Sequence, residues 1–270
     1  MPREPGSAGR EPRAARGVNA RAKKELGQHF LVDENILRVI GRLAEISGDD
    51  VVLEIGPGRG ILTRFLAARV AHVHAVEIDR SLEADLPTDE NVELHWGDAL
   101  ALDLAALEPK PRKLVANLPY NVATPIVVES LAGLPSIERW CVMVQREVAD
   151  RFFAVPRTKA YGAVSVLVQL AAERTGWHPV TREVFRPRPN VASALVAFRR
   201  KPRPAEWPHL KRTVEASFAH RLKTLPNSLA LSGVASRERA EAAIRALGRE
   251  PDIRAEALEP AEFVVLARAL

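Results

Sequence analysis

The apolar positions of the chain fall into short runs separated by longer amphipathic stretches. Each run has the length of a strand buried on both faces, and the stretches between the runs have the three-to-four-residue spacing of helices. This alternation predicts βαβ units and a mostly parallel sheet. Strands are predicted at 51–55, 73–77, 92–95, 113–116, 140–144 and 193–198. Helices are predicted at 34–46 (with Asp33 as the N-cap), 61–69, 124–131, 145–153 and 163–173.

Both ends of the chain depart from this pattern. Residues 1–22 are rich in proline, glycine, arginine and alanine and contain few large apolar side chains, which predicts a disordered basic tail. The proline-rich segment 201–208 interrupts regular structure. After it, amphipathic helices without any strand are predicted at 210–220, 237–247 and 260–270. The sequence therefore predicts an α/β fold, with a Rossmann-like domain over 23–200 and a small C-terminal all-helical domain over 201–270.

Charge is distributed unevenly along the chain, whose net charge is +5 and whose pI is about 9.6. Residues 1–24 contain seven basic and two acidic side chains, and residues 186–223 contain ten basic and two acidic ones. Two basic zones on an otherwise acidic chain favour a polyanionic partner such as nucleic acid. Scattered surface charge that serves solubility is the alternative explanation.

Cysteine content and hydropathy indicate the cellular compartment of the protein. Cys141 is the only cysteine and lies in the apolar run 140–144, so we expect a buried residue in a reducing cytoplasm. No apolar run approaches the roughly 20 residues that span a bilayer. The N-terminus lacks the apolar stretch of a secretory signal. We therefore expect a cytoplasmic protein without a membrane partner.

A glycine-rich turn, Glu-Ile-Gly-Pro-Gly-Arg-Gly over 54–60, follows the first predicted strand and opens a helix. Gly56 and Gly58 are expected to let a ligand approach the backbone closely. Glu77 ends the next strand, where a carboxylate can accept ribose hydroxyl protons. Asp98 follows the third strand and can accept from an adenine amino group, although a turn or a cap explains it equally well. These acceptors suit S-adenosylmethionine (SAM) better than a nicotinamide dinucleotide, whose fingerprint is incomplete here.

A second motif, Asn117-Leu118-Pro119-Tyr120, ends the fourth predicted strand. The exocyclic nitrogen of adenine is a poor nucleophile, and acceptors for its two amino protons would activate it. We predict that the Asn117 side-chain oxygen and the Leu118 carbonyl supply them, while Pro119 fixes the backbone and Tyr120 stacks on the base. Catalysis would then consist mainly of positioning, without a strong general base. A proline turn with a buried tyrosine is the alternative.

With these residues in hand, the chain resembles the ribosomal RNA adenine dimethyltransferase family, and within it the bacterial small-subunit branch. The resemblance runs from about residue 23 to the C-terminus. The matching motifs lie at 26–31, 54–60, 77–79, 117–120 with 124–125, 145–148, 159–162, 185–191 and 218–229.

The resemblance implies a SAM-dependent enzyme that dimethylates two adjacent adenosines near the 3′ end of 16S rRNA in the immature small ribosomal subunit. It implies a Rossmann-like domain with a helical domain that docks RNA. We expect a monomer and no metal ligands. The residues implied to bind the donor are His29, Leu31, Gly56, Gly58, Glu77, Asp98 and Asn117.

The expected RNA contacts are Phe185, Arg221 and Lys223.

The chain departs from the family pattern at three places. His29 stands where the family usually has Asn, and Ala192 replaces the usual Asp. The basic run over 221–227 lacks two of the usual cations and contains Pro226, which we expect to end a helix.

Three alternatives remain open at this stage. A 23S rRNA adenine methyltransferase of the macrolide-resistance type shares both motifs, although the segments 159–162 and 218–229 favour the small-subunit branch. A non-catalytic ribosome-assembly or nucleic-acid-binding factor is the second, and the intact Asn117 and Glu77 motifs argue against it. A nicotinamide oxidoreductase is the third, although no acid or base for hydride transfer is placed.

Overall fold

The computed structural model describes residues 28–270, so the predicted tail at 1–22 lies outside the described residues. The strands are β1 (Phe30–Leu31), β2 (Val51–Ile55), β3 (His72–Glu77), β4 (Val92–Trp96), β5 (Lys113–Asn117), β6 (Arg139–Gln145), β7 (Ala172–Val180), β8 (Phe185–Arg186) and β9 (Ser193–Arg200). The α-helices are α1 (Glu34–Leu43), α2 (Ile61–Ala67), α3 (Ala123–Gly133), α4 (Arg146–Phe152), α5 (Ala163–Ala171), α6 (Trp207–Ala219), α7 (Leu225–Leu231), α8 (Arg237–Ala246) and α9 (Pro260–Ala269).

Seven of these strands form one sheet in the order β4-β3-β2-β5-β6-β9-β7. Neighbours from β4 to β6 are parallel, whereas β9 is antiparallel to both β6 and β7. The chain runs outward from β2 to β3 and β4 on one side, and the sheet continues with β5 on the other. Ligands of open α/β sheets bind at the carboxyl ends of the strands where the order reverses in this way. The α/β, Rossmann-like prediction is confirmed.

All six predicted strands are present, with bounds within two residues of the prediction. Strand β2 illustrates why: Val52 and Leu53 have no exposed surface, as expected for consecutive apolar residues of a strand covered on both faces. At the start of α1, Asp33 accepts hydrogen bonds from the amides of Asn35 and Ile36, which confirms the predicted cap.

Strand β7 was missed, and the predicted helix 163–173 ends earlier, at Ala171. β7 lies at the edge of the sheet, where several polar side chains are exposed and Pro179 is tolerated. Gly176 follows a register shift, and a Cβ atom there would lie 2.6 Å from Leu43 of α1. Because β7 contains exposed polar residues, a glycine and a proline, it has no apolar run from which a strand could be predicted.

The C-terminal part is helical from α6 onward, as predicted, but it contains one helix more. Pro226 lies in the first turn of α7 and does not end a helix, so that prediction was wrong. The first residues of a helix have no intrahelical partner for their amides, so proline costs nothing there.

One apolar core cluster includes Trp140 and Phe198 of the sheet together with Leu210 and Phe263 of the C-terminal helices. The boundary predicted near 201–208 stays a prediction.

Cys141 is buried, and burial raises the pKa of its thiol to about 12, so the side chain serves packing. Among residues 28–270, no helix is both long enough and apolar enough to span a bilayer.

Candidate active site

A cavity of about 180 Å³ lies at the carboxyl ends of the central parallel strands. The turns after β2, β3, β4 and β5 form its walls, and the segment around β1 closes it from the side. The predicted donor and catalytic residues all line this one cavity: His29, Leu31, Gly56, Gly58, Glu77, Asp98, Asn117, Leu118, Pro119 and Tyr120.

The glycine turn after β2 needs its glycines because its backbone is left-handed. Gly56 has a φ of +74° and Gly58 a φ of +59°, values that side chains rarely adopt. A Cβ atom on Gly56 would lie 3.2 Å from Cδ of Pro119, so the two strand ends are in close contact here. The Gly56 amide donates to the backbone oxygen of Val76, 2.9 Å away, and ties the turn to β3.

Glu77, at the end of β3, fixes this turn with its carboxylate. Its Oε2 accepts from the amide of Gly58 at 3.1 Å, and its Oε1 accepts from the amides of Ile78 at 2.9 Å and Asp79 at 2.8 Å. Burial raises the pKa of Glu77, and the three amides act in the opposite direction. Since Oε1 already has two donors and Oε2 has one, Oε2 retains a lone pair for a ligand hydroxyl.

Glu54, the penultimate residue of β2, was missed as a candidate. It lines the cavity, its side chain is almost fully buried, and its Oε2 has no hydrogen-bond partner. Burial, with a smaller contribution from the nearby Glu77, raises the pKa of Glu54 to about 8. The available signal was a single acidic residue within an apolar strand, because such a charge is rarely buried without a function.

Asp98 lies in the turn after β4, where its side chain stabilises the turn and lines the cavity. The residue is exposed and lines the cavity, while its Oδ1 accepts from the amide of Leu100 at 2.9 Å. The preceding Gly97 amide donates to the backbone oxygen of Glu77 at 2.9 Å. Asp98 is thus held at the cavity wall by a turn that is itself tied to β3.

Asn117 ends β5 and donates from its side-chain Nδ2 to the backbone oxygen of His29 at 3.1 Å. With the amide nitrogen held in this way, the side-chain oxygen is left as an acceptor. The next residue, Leu118, is buried and its amide donates to the Met143 oxygen at 3.0 Å, which anchors the motif to β6.

Tyr120 and His29 both line the cavity, and their side chains lie close together. The Tyr120 hydroxyl lies 2.6 Å from Oγ of Ser193, and burial raises its pKa. The rings of Tyr120 and His29 are tilted, with centroids 5.4 Å apart. His29 Nδ1 donates to the Pro187 oxygen at 2.9 Å, since a carbonyl can only accept.

The three predicted RNA contacts lie in different environments. Phe185 has no exposed surface and pairs with Leu31 in the β1–β8 ladder, so its ring positions the strand beside the cavity. Arg221 and Lys223 are exposed and lie in the loop between α6 and α7, beside Leu222, which is 85% exposed.

The family model described as "Ribosomal RNA adenine dimethylase" matches residues 19–267. The chain is 48% identical over 259 residues to a protein of Rubrobacter xylanophilus named "Ribosomal RNA small subunit methyltransferase A", covering 94% of this chain and 97% of that protein. A protein of Thermobifida fusca with the same name is 43% identical and covers 94% and 92% of the two chains.

Among solved structures, a dimethyladenosine transferase from Plasmodium falciparum superposes with a TM-score of 0.73 at 23% identity, covering 88% of this chain and 96% of its own, and it supports the fold. The 23S rRNA methyltransferase ErmE superposes with a TM-score of 0.61 at 30% identity, covering 89% and 99%. The match to the family model spans nearly all of the chain and agrees with the motifs recognised in the sequence. This chain is a member of the ribosomal RNA adenine dimethylase family.

Proposed function

We propose that this chain is a SAM-dependent methyltransferase that dimethylates N6 of two adjacent adenosines near the 3′ end of 16S rRNA in the immature small subunit. The family description supports adenine as the target and two methyl groups as the product. The names of the relatives from R. xylanophilus and T. fusca support the small subunit as the particle. We further propose that the enzyme acts as a monomer in the cytoplasm.

The residues of the cavity fit the methyl donor. The free lone pair on Glu77 Oε2 suits a ribose hydroxyl, and Asp98 at the neighbouring strand end suits the adenine amino group. Gly56 and Gly58 carry no side chain where a Cβ atom would lie only 3.2 Å from Pro119 and 3.0 Å from Phe30, so the backbone of this cavity wall packs closely against both residues. Buried Glu54, whose Oε2 has no hydrogen-bond partner, would offer a counter-charge to a cationic ligand in its ionised form. When bound, the donor supplies a methyl group activated by its sulfonium charge.

The observation that carries the proposal is the orientation of Asn117. Because its Nδ2 donates to the His29 oxygen, its Oδ1 is available for one proton of the target amino group. The Leu118 carbonyl is the second acceptor in our proposal, and Tyr120 stacks on the base. Two acceptors on one amino group favour a tetrahedral nitrogen whose lone pair points toward the methyl group, so positioning supplies most of the rate.

RNA docking is proposed for the exposed loop between α6 and α7. Arg221 and Lys223 are exposed there, and each can contact a phosphate. For Phe185 we propose an indirect role, since a fully buried ring can support the β1–β8 ladder but cannot stack on a base. The helical region over 201–270 would present the loop to the particle.

The proposal is tested with labelled donor and small subunits isolated from a strain that lacks the corresponding methylation. Mass spectrometry of the RNA should show dimethylated adenosine at two adjacent positions near the 3′ end. Protein-free 23S rRNA is the competing substrate, because the similarity to ErmE makes the large-subunit reaction the second candidate. Methylation of 23S rRNA without modification of the immature small subunit would reverse the assignment.

A further inference from the structure

Three histidines and one glutamate lie together on the two outermost parallel strands, β3 and β4. His72 and His74 come from β3, and Glu93 and His95 from β4. The pattern is His-x-His on one strand and Glu-x-His on the next, and a spacing of two residues places side chains on the same face of a sheet. His74 is paired in register with Glu93, so the two strands bring these side chains side by side. We refer to these four residues as the histidine cluster.

Two distances within the histidine cluster match those between ligands of one metal ion. Oε2 of Glu93 lies 3.4 Å from Nδ1 of His74 and 3.5 Å from Nε2 of His72. Nitrogen and oxygen ligands at about 2.0–2.1 Å from a tetrahedral ion lie roughly 3.4 Å from one another. The ligand atoms of His72, His74 and Glu93 all lie within 4.8 Å of one another, so small side-chain rotations suffice to close the site.

The protonation of His74 is set by its surroundings. Its Nε2 lies 2.8 Å from the backbone oxygen of Pro109, and because a carbonyl only accepts, Nε2 carries the hydrogen. In a neutral ring this leaves Nδ1 with a lone pair, which lies 3.0 Å from Nε2 of His95 and 3.4 Å from Oε2 of Glu93. Histidines that bind metals usually donate from their second nitrogen to a carbonyl in this way, which orients the ring and fixes its tautomer.

Two further nitrogens complete the arrangement. Nε2 of His72 is buried and has no hydrogen-bond partner, although Glu93 is near it. Nε2 of His95 lies 3.0 Å from Nδ1 of His74 and 3.8 Å from Oε1 of Glu93. A proton on His95 can bridge to His74, but the buried Nε2 of His72 still has no hydrogen-bond partner. A cation held between the rings and the carboxylate would give this nitrogen a partner.

We propose that the histidine cluster binds one divalent transition-metal ion of the zinc class, with His72, His74 and Glu93 as ligands. Imidazole nitrogens with one carboxylate suit Zn²⁺ and its first-row neighbours better than Mg²⁺ or Ca²⁺. The ion joins edge strand β4 to β3, and these strands lead into Asp98 and Glu77 of the cavity. Its role is therefore structural, and the inference does not depend on the proposed methyl transfer.

The test uses the full-length chain without a polyhistidine tag, since a tag would itself bind the probe. The protein is treated with chelator and titrated calorimetrically with ZnCl₂, and its Tm is measured with and without Zn²⁺. Glu93→Gln removes one ligand at a half-exposed position and should leave the fold intact. Glu90→Gln removes the same charge at an exposed position just before β4 and is the matched control.

The wild-type chain should bind one Zn²⁺ per molecule and show a Tm several degrees higher with Zn²⁺ than without, because a ligand that binds only the folded state stabilises it. Glu93→Gln should weaken Zn²⁺ binding by at least about tenfold, whereas Glu90→Gln should bind like the wild type. Co²⁺ bound to the wild type should give the visible absorption of tetrahedral coordination. Sub-stoichiometric binding by the wild type, or equal affinity in Glu93→Gln, would mean that the cluster is only a hydrogen-bonded network and would overturn the proposal.

Discussion

The side-chain amide of Asn117 donates to the backbone oxygen of His29 across 3.1 Å, joining the end of β5 to the segment before β1. His29 in turn is held by its own hydrogen bond from Nδ1 to Pro187. The contact with Asn117 uses the backbone of His29, so it does not depend on the side chain at position 29. The amide of Asn117 is therefore oriented by the chain itself before any substrate arrives.

Asn117→Ala should retain donor binding within a few fold while lowering single-turnover methyl transfer by on the order of 100-fold. The reason is that Asn117 is proposed to accept a proton of the target amine, and losing one such preorganised polar contact typically costs this much in rate. Calorimetry with the donor and single-turnover assays on immature small subunits provide the two measurements. Asn35→Ala, on an exposed position of α1, is the matched control.

Asn117→Asp tests whether the orientation of the side chain at position 117 matters in addition to its acceptor oxygen. Aspartate keeps an acceptor oxygen, but it cannot donate to the His29 oxygen, and two facing acceptors repel each other. We therefore expect turnover to fall in this variant as well. Near-normal turnover in either variant would contradict the proposed mechanism.

The sequence predicted most of the sheet and the composition of the cavity, because both depend on local signals. Val52 and Leu53 are buried on a central strand, and the turn that follows it adopts left-handed backbone conformations that favour glycine. What it missed depends on tertiary neighbours. The lack of a partner for Oε2 of Glu54 follows from the surrounding packing, and Gly176 fits because helix α1 approaches β7.

The same dependence on tertiary neighbours explains why the structure changed the interpretation of Phe185 and Pro226. Phe185 belongs to a conspicuous motif, but only the pairing of β8 with β1 shows that its ring is buried. Pro226 signals a helix boundary, and the sequence does not tell whether a helix ends or begins there. The histidines of β3 and the Glu-x-His of β4 are 21 residues apart, measured from His74 to His95, and their proximity follows from the parallel register of the two strands.

Glu77→Gln should weaken donor binding by at least about tenfold and lower the free energy of unfolding by about 1–3 kcal/mol. An amide group can replace only one carboxylate oxygen as an acceptor, so either Gly58 or the pair Ile78 and Asp79 loses its partner, and a hydrogen bond to a charged group contributes this much. Calorimetry and urea denaturation measure the two effects. Glu83→Gln, which removes an exposed charge, should change neither; donor affinity equal to the wild type in Glu77→Gln would remove Glu77 from the donor site.

Gly56→Ala should destabilise the chain by about 1–2 kcal/mol and reduce donor binding. A side chain at a φ of +74° is strained, and its Cβ would lie 3.2 Å from Pro119, which must then move at the cavity wall. Gly48→Ala is a sharp control, because a Cβ there meets nothing within 4 Å and the backbone is not left-handed. If the two alanine variants were equally stable and bound the donor equally, close packing of the glycine turn would not matter for the site.

The buried carboxyl of Glu54 makes both stability and donor binding depend on pH. Its pKa is about 8 in the folded chain and near the ordinary 4.5 when unfolded, so the folded state favours the protonated form. The free energy of unfolding should therefore decrease as pH rises from about 4.5 to 8. A cationic donor prefers the ionised form, so donor affinity should increase over the upper part of the same range. Burial also raises the pKa of Glu77, and for this reason the assignment needs a variant.

Glu54→Gln supplies that variant, because it removes the titrating group and nearly preserves the volume. Urea denaturation and donor calorimetry across this pH range should show a flatter stability profile and a weaker pH dependence of donor affinity than in the wild type. Glu83→Gln, at an exposed position, should retain both wild-type profiles. If the profiles of Glu54→Gln and the wild type coincided, the buried carboxyl would not be the group that responds to pH, and its placement as the counter-charge for the donor would have to be abandoned.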